Sequence, residues 1–183
     1  VTLTAYLQDD SQEFWRAKKR PAVVIFPGGA YAYCSDREAD PVAQEYLRAG
    51  YHAFVLRYSV GWENAVWPNP LEDYDQAMEL ITAHAKEWHL IPEKIAVIGF
   101  SAGGHLAACA ATMAKHRPVA AILAYPVILE GLAAICAKGA PGADKAVDSQ
   151  TCPCFIAAAG TDTMVSAMNS LRFVEALYEN GIS

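Results

Sequence analysis

The segment Gly99-Phe100-Ser101-Ala102-Gly103 has residue types and a spacing that suit a serine nucleophile. It fits the pattern G-x-S-x-G, in which the serine occupies a strained turn and the residues two positions away must be very small. An apolar run at 94–100 precedes the turn, and a helical segment follows it. The helix would point its N-terminus at the reacting carbonyl, and the N–H of Ala102 would become one oxyanion donor. The alternative is a plain tight turn between a strand and a helix.

A second small-residue turn, Gly28-Gly29-Ala30, follows another apolar run at 22–26. Acyl transfer needs a second backbone N–H at the developing oxyanion, and a Gly-Gly turn lets the backbone come close to a substrate. We therefore predict that Gly28, Gly29 or Ala30 completes an oxyanion hole with Ala102. A simple connection from strand to helix would need only one glycine.

Apolar runs alternate with segments of helical period, and this alternation predicts the frame that positions both turns. Runs that are apolar on both faces are typical of a parallel sheet with helices on both sides. The segment 2–7 alternates with period two, as a half-exposed strand does. The predicted strands are 2–7, 22–26, 52–58, 94–100, 120–125 and 155–159. We expect an α/β fold, with a mostly parallel central sheet and helices on both faces, in one domain spanning 1–183.

Capping and stop signals give the helix boundaries. Ser35 and Glu38 have the spacing of a capping box, Gly50 is placed to end the first helix, and Pro92 to stop the second. The predicted helices begin at 35 or 40 and end at 49, and run from 69 to 84 or 88, from 101 to before 118 and from 169 to 179. The stretch 130–150, rich in Ala, Gly and Lys, predicts an insertion over the sheet edge.

Composition excludes several classes of function. The net charge is -6, and the one basic cluster, residues 16–20, is short and predicts a solvated loop, so we expect no nucleic-acid partner. No apolar run reaches the length of a membrane span, so we expect no membrane partner. Five cysteines at irregular spacing argue against a disulfide framework, and Cys152-Pro153-Cys154 is too short for a zinc knuckle. We expect free thiols in a reducing compartment, hence a cytoplasmic protein with no bound metal.

Four stretches of the chain resemble a known family. They are "PAVVIFPGGAY", "SDREADPVA", "GYHAFVLRYSV" and "KIAVIGFSAGGHLAA". They are similar to small α/β-hydrolase esterases of carbohydrate metabolism, the bacterial acetyl-esterase and acetylxylan- or feruloyl-esterase-like proteins. The resemblance covers about 20–127 and 155–181. It implies an α/β-hydrolase fold and a Ser-His-Asp hydrolase without cofactor, acting on a small-molecule or oligosaccharide ester. It leaves the acyl group, the alcohol and a homo-oligomeric state open.

The same resemblance implies the acid of the triad. The family places this residue in a loop after the next-to-last strand, and Asp162 stands at that position in Gly160-Thr161-Asp162-Thr163. It would orient an imidazole and stabilise the protonated form. Thr161 and Thr163 stand where the family usually has a second acidic residue and a proline. The alternative is a loop aspartate that caps a turn.

The base of the triad has no candidate at the expected place. The chain order in this fold is Ser, Asp, His, and all five histidines precede Asp162. His105 lies four residues after Ser101, which places it one helical turn below the nucleophile, and its family counterpart is not the base. We therefore expect a domain that lacks its last strand and a histidine-bearing loop. The alternatives are a catalytically incomplete fragment and a non-catalytic carbohydrate-binding relative.

Overall fold

The computed structural model describes residues 1–9, 13 and 19–182. Within them, six strands form one sheet and five α-helices pack against it. The strands are β1 (Thr2–Tyr6), β2 (Arg20–Phe26), β3 (His52–Arg57), β4 (Leu90–Phe100), β5 (Ala121–Ala124) and β6 (Cys154–Ala157). The helices are α1 (Asp40–Arg48), α2 (Asn69–Ala83), α3 (Ala102–Met113), α4 (Glu130–Cys136) and α5 (Met168–Glu179).

The sheet has the strand order β1-β3-β2-β4-β5-β6. Strand β1 pairs antiparallel with β3, and every other pair is parallel. In the centre of the sheet, Val24 of β2 aligns with Phe54 of β3 and with Val97 of β4. The prediction of a mostly parallel α/β fold is therefore confirmed, and the carboxyl ends of five strands meet at one edge.

Two buried clusters show that helices cover both faces of the sheet. On one face, Val23 and Ile25 of β2 pack with Ala39 and Ala43 at and within the start of α1. On the other face, alternate residues of the same strands belong to a larger cluster that includes residues of α2, α3 and α5. The residues of α3 from Ala102 to Thr112 are all buried, so this helix lies at the centre of the fold.

Three local predictions are corrected by the structure. The side chain of Ser35 makes no cap, and residues Asp36–Glu38 form a short 3-10 helix before α1. Helix α2 ends at Ala83, and Pro92 lies within β4 instead of stopping a helix. The stretch 130–150 is not a peripheral insertion, because it forms α4 and a 3-10 turn whose alanines are buried against the core beside α3.

The β6 side of the sheet is the least covered. Phe155 on β6 is 67% exposed, and β6 pairs only with β5 within the described residues. Helix α5 buries Phe173 and Leu177 but exposes the apolar side chains of Leu171 and Val174. This part of the molecule therefore presents both a free strand edge and apolar surface to its surroundings.

The structure also bears on the expectations about charge, membrane spans, cysteines and metal ligands. Residues 16–18 of the basic cluster lie outside the described residues. The helices that the structure describes include none with the length and apolar character needed to cross a membrane. The five cysteines are free thiols. Among the residues described, no three His, Cys, Asp or Glu side chains gather as metal ligands would.

Candidate active site

The loops that follow β2, β4, β5 and β6 meet at the carboxyl edge of the sheet, where ligands bind in open α/β folds. They enclose a cleft of about 360 Å³. The predicted residues Gly29, Ala30, Ser101 and Asp162 all line it. A larger cleft, of about 600 Å³, lies near the opposite edge, beside Arg20 at the start of β2. The structure thus brings together residues that are far apart in the chain.

Ser101 occupies a strained turn between β4 and α3. Its φ is +53° and its ψ is -114°, a backbone conformation that residues with side chains rarely adopt. The turn is tight because a Cβ on Gly99 would collide with the carbonyl oxygen of Gly103, and a Cβ on Gly103 would lie 2.6 Å from the carbonyl oxygen of Pro27. Small residues at both positions therefore allow the serine to stand at the edge of the cleft.

Backbone hydrogen bonds hold this turn on all sides. The N–H of Ser101 donates to the carbonyl oxygen of Ala124 at 3.0 Å. The carbonyl oxygen of Ser101 accepts from the N–H groups of His105 and Val127, each at 3.0 Å. Because these partners are in α3 and next to β5, the position of the serine is set by the centre of the fold.

The glycine-rich turn after β2 also has an unusual backbone. Gly29, Ala30 and Tyr31 have φ values of +126°, +53° and +58°. Within the described residues the N–H groups of Gly29 and Ala30 have no acceptor. The N–H of Ala102, as the first of α3, has no partner inside its helix. Gly29 and Ala30 line the cleft and can offer these groups to a ligand, whereas Ala102 is fully buried directly behind Ser101.

Gly28 departs from the prediction that it donates to an oxyanion. Its N–H donates to Oε2 of Glu38 at 2.7 Å, so this group already has an acceptor. A Cβ on Gly28 would lie 3.2 Å from Cβ of Ser101, so the glycine allows a close approach of the loop to this serine. Gly28 is thus a spacer, and Gly29 and Ala30 are the donor candidates of this turn.

Glu38 and Tyr125 are residues of the cleft that sequence reasoning missed. Oε1 of Glu38 accepts a hydrogen bond from the Tyr125 hydroxyl at 2.8 Å. Burial raises the pKa of Tyr125 above its usual range, and the hydrogen bond to Glu38 raises it further. The sequence pattern favoured a capping role for Glu38, and no local signal links it to a tyrosine 87 residues away.

Asp162 lies in the loop after β6, and one of its oxygens is already bonded. Oδ1 accepts from the N–H groups of Met164 at 2.8 Å and Val165 at 2.9 Å. These bonds, that from Val165 above all, lower the pKa of Asp162, so the carboxylate is charged at neutral pH. Asp162 thus caps its own turn, as the alternative had it, and still has Oδ2 for a further donor at the cleft.

His105 is buried one helical turn after Ser101. Its Nε2 donates to the carbonyl oxygen of Pro141 at 2.8 Å, and its Nδ1 accepts from the Tyr31 hydroxyl at 2.8 Å. Burial lowers the pKa of His105 to about 4. Both ring nitrogens are therefore bonded away from Ser101, and the group is a poor base.

The other four histidines lie elsewhere as well. His52 begins β3, His84 stacks on Trp88 beyond α2, and His116 contacts Glu79. His89 lies next to the start of β4. None of the five histidines lines the cleft that holds Ser101.

A mostly parallel sheet with a strained serine turn at its carboxyl edge defines a protein of the α/β-hydrolase fold. The family model described as BD-FAE matches residues 12–128, and the chain belongs to this family.

Similar proteins include enzymes that act on esters and on xylan. The chain is 31% identical over 212 residues to endo-1,4-beta-xylanase B of Butyrivibrio fibrisolvens, a match that covers 98% of this chain and 32% of the relative. It is 34% identical over 110 residues to an acetylxylan esterase of Xylanibacter ruminicola, covering 58% of this chain and 22% of that protein.

A solved structure is also similar over nearly the whole chain. MGS-M1, an alpha/beta hydrolase enzyme from a Medee basin deep-sea metagenome library, superimposes with a TM-score of 0.90 at 47% identity. The match covers 99% of this chain and 72% of MGS-M1. The chain therefore spans only part of the length of the curated relatives and of this structure.

Proposed function

We propose that the protein is a serine carboxylesterase that hydrolyses short-chain acyl esters, acetyl esters above all, of carbohydrates. The observation that carries the proposal is the placement of Ser101 on a strained turn, in one cleft with Gly29, Ala30 and Asp162. The carbohydrate substrate rests on the relatives, one of which is an acetylxylan esterase and another a xylanase.

The proposed reaction has two acyl-transfer steps. Oγ of Ser101 attacks the ester carbonyl while its proton passes to a base, and the N–H groups of Ala102 and of Gly29 or Ala30 stabilise the oxyanion. The bond between the carbonyl carbon and the alcohol oxygen then breaks, and the alcohol leaves with that proton. Water attacks the acyl-serine in the same way, which releases the carboxylic acid and restores the serine hydroxyl.

The base is, in this proposal, a histidine that follows Asp162 in the protein and is not among the 183 residues. Two observations support it. The five histidines of the chain lie away from Ser101, and Oδ2 of Asp162 remains to accept a hydrogen bond from an imidazole. The exposed edge of β6 offers a place for a further strand that would bring such a residue to the cleft.

Replacement of the nucleophile tests the reaction. In a protein extended through such a histidine, Ser101→Ala should lower kcat for 4-nitrophenyl acetate by about 10⁴- to 10⁶-fold. A serine-directed phosphonate should label the parent protein at Ser101, and turnover should need no added metal. Ser166→Ala, at an exposed serine outside the cleft, is the matched control. Loss of activity with a chelator, without labelling of Ser101, would contradict the proposal. Saturable glycan binding without turnover would instead support the alternative that the protein is a non-catalytic carbohydrate-binding relative.

A comparison of two lengths of the protein tests the base. The 183-residue chain has no base at Ser101 and should show essentially no esterase activity. An enzyme that lacks a member of its triad keeps a rate of only about 10³–10⁴ times that of the uncatalysed reaction in water. Acetate release by this chain is measured beside the extended protein. Equal rates would contradict the proposal and would make His105 the next residue to replace.

A further inference from the structure

The carboxylate of Glu38 joins two walls of the cleft. Its Oε2 accepts from the N–H of Gly28 at 2.7 Å, and its Oε1 accepts from the Tyr125 hydroxyl at 2.8 Å. Gly28 belongs to the turn after β2, and Tyr125 directly follows β5. Glu38 therefore bonds the oxyanion turn with one oxygen and a second side of the cleft with the other.

The space around Gly28 keeps this carboxylate in place. A Cβ on Gly28 would lie 2.6 Å from Oε2 of Glu38 and 2.8 Å from the carbonyl oxygen of Phe100. The glycine is thus packed between the carboxylate and the nucleophile turn. A shift of Glu38 would change the orientation of the peptide that leads to the donors of Gly29 and Ala30.

Tyr125 is held as firmly on the other side. Its φ is +37°, its N–H donates to the carbonyl oxygen of Ala157 at 2.6 Å, and its ring lies 6.1 Å from that of Phe100. A tyrosine hydroxyl has one proton and two lone pairs. Because the proton is directed at Glu38, only the lone pairs are left for another partner at the cleft.

The chemistry of an acetyl ester decides which partner fits. The acetyl group carries no hydrogen-bond donor, whereas a carbohydrate carries free hydroxyl groups beside the ester oxygen. Arg37 and Asp162 also line the cleft, but the arginine offers only donors, and the second oxygen of the aspartate is assigned to the imidazole of the proposed base. An acceptor of fixed direction is therefore what the Tyr125 hydroxyl contributes.

We propose that Glu38 is a positioning residue that makes the Tyr125 hydroxyl an acceptor for a free hydroxyl on the alcohol part of the ester. The preferred substrates are then partly acylated sugars with a free hydroxyl near the ester. This inference rests on the proposed esterase function and adds to it a reason why the enzyme would prefer one alcohol part of the ester over another.

Two acetylated sugars test this choice in the extended protein. Monoacetylated methyl xyloside has free hydroxyls, and fully acetylated methyl xyloside has none, so the ratio of their kcat/KM values measures recognition of a hydroxyl. Tyr125→Phe removes the acceptor and should lower this ratio about 3- to 10-fold, as for loss of one hydrogen bond.

Glu38→Gln tests the direction of the bond. The amide oxygen can still accept from Gly28, whereas the amide N–H would donate to one of the two lone pairs of the Tyr125 oxygen. The tyrosine proton, released from Glu38, would then be free to point into the cleft, so the hydroxyl would no longer be fixed as an acceptor. This variant should lower the ratio by a similar factor. Combined with Tyr125→Phe it should lower the ratio no further, because both changes act on one contact.

Asp36→Asn is the matched control. This acid lies in the same short helix as Glu38 but bonds Arg57 at 2.8 Å, outside the cleft, so the ratio should stay at the wild-type value. If the effects of Glu38→Gln and Tyr125→Phe on this ratio multiply in the double variant, the inference is overturned. Wild-type turnover of 4-nitrophenyl acetate without preference for the hydroxyl-bearing sugar would also overturn it, although the esterase proposal would then stand. A wild-type protein that hydrolyses none of these esters would overturn both.

Discussion

The two halves of the cleft are built in different ways. Around Ser101 the backbone is bonded to α3, to the last residue of β5 and to the loop that follows it, and a Cβ on either neighbouring glycine would collide with backbone atoms. Around Asp162 the carboxylate is bonded, among the residues that the structure describes, only within its own loop, and the nearby β6 exposes Phe155. We refer to these regions, by the roles proposed above for Ser101 and Asp162, as the nucleophile half and the acid half.

This difference shows which parts of the proposed chemistry depend on the core. The nucleophile half needs no further segment for its geometry, because buried strands and a buried helix fix the serine and the donors in advance. The acid half orients one carboxylate oxygen and leaves the other for an added partner. Substitutions that disturb packing should therefore affect folding in the first half, whereas those in the second half should chiefly affect turnover.

Among the substitutions that test this difference between the halves, Asp162→Asn is expected to have the largest effect, a loss of turnover. The amide oxygen of asparagine can keep the bonds to the N–H groups of Met164 and Val165, so the loop should hold its shape. The charge that stabilises a protonated imidazole is lost, and kcat of the extended protein should fall about 10³- to 10⁴-fold. The melting temperature should stay close to that of the parent. A variant with unchanged kcat would remove Asp162 from the mechanism.

A pair of glycine substitutions measures the packing of the two halves directly. Gly99→Ala places a methyl group against immobile backbone and should lower the free energy of unfolding by at least about 3 kcal/mol, or prevent folding. Gly160→Ala, in the loop before Asp162, meets nothing within 4 Å and should change it by about 0.5 kcal/mol or less. Urea denaturation gives both values. Similar losses would show that the halves are equally packed.

His105 makes the stability of the nucleophile half depend on pH. Its pKa is about 4 in the folded protein and about 6.5 in the unfolded chain, so the unfolded chain binds more protons between these values. The contribution of neutral His105 to the free energy of unfolding is complete well above pH 6.5. It falls progressively by about 3 kcal/mol as the pH is lowered to 4. Urea denaturation between pH 7.5 and 4 should show this slope, and His105→Gln should flatten it. A variant with the same slope would assign the effect to other groups.

Sequence reasoning succeeded where the physical constraint is local. The strand at 94–100 and the glycines beside Ser101 are set by apolar runs and by the steric demands of one turn. The same holds for the end of α5, where Gly181 follows the helix with φ +72°. These features need no knowledge of distant residues, and the parallel sheet was predictable because apolar runs of this kind alternate with helical segments along the chain.

The errors concern contacts between distant segments. Ser35 and Glu38 have the spacing of a capping box, but the N–H of Ser35 bonds Gly28 and the carboxylate of Glu38 turns to Gly28 and Tyr125. The composition of 130–150, rich in Ala, Gly and Lys, predicts an insertion over the sheet edge, yet alanines of this stretch are buried in the core beside α3. Partners of this kind are chosen by the folded arrangement, which a pattern in one segment does not contain.

Three consecutive N–H groups after β5 join the two halves. Val127 donates to the carbonyl oxygen of Ser101, and Ile128 and Leu129 both donate, at 2.9 Å each, to Oδ1 of the buried Asn169 on α5. The loop therefore connects Ser101 to a helix whose outer face is exposed. A displacement of α5 would act on the carbonyl of Ser101 through the Asn169 amide and the backbone of 127–129, besides the packing of Phe173 and Leu177 in the core.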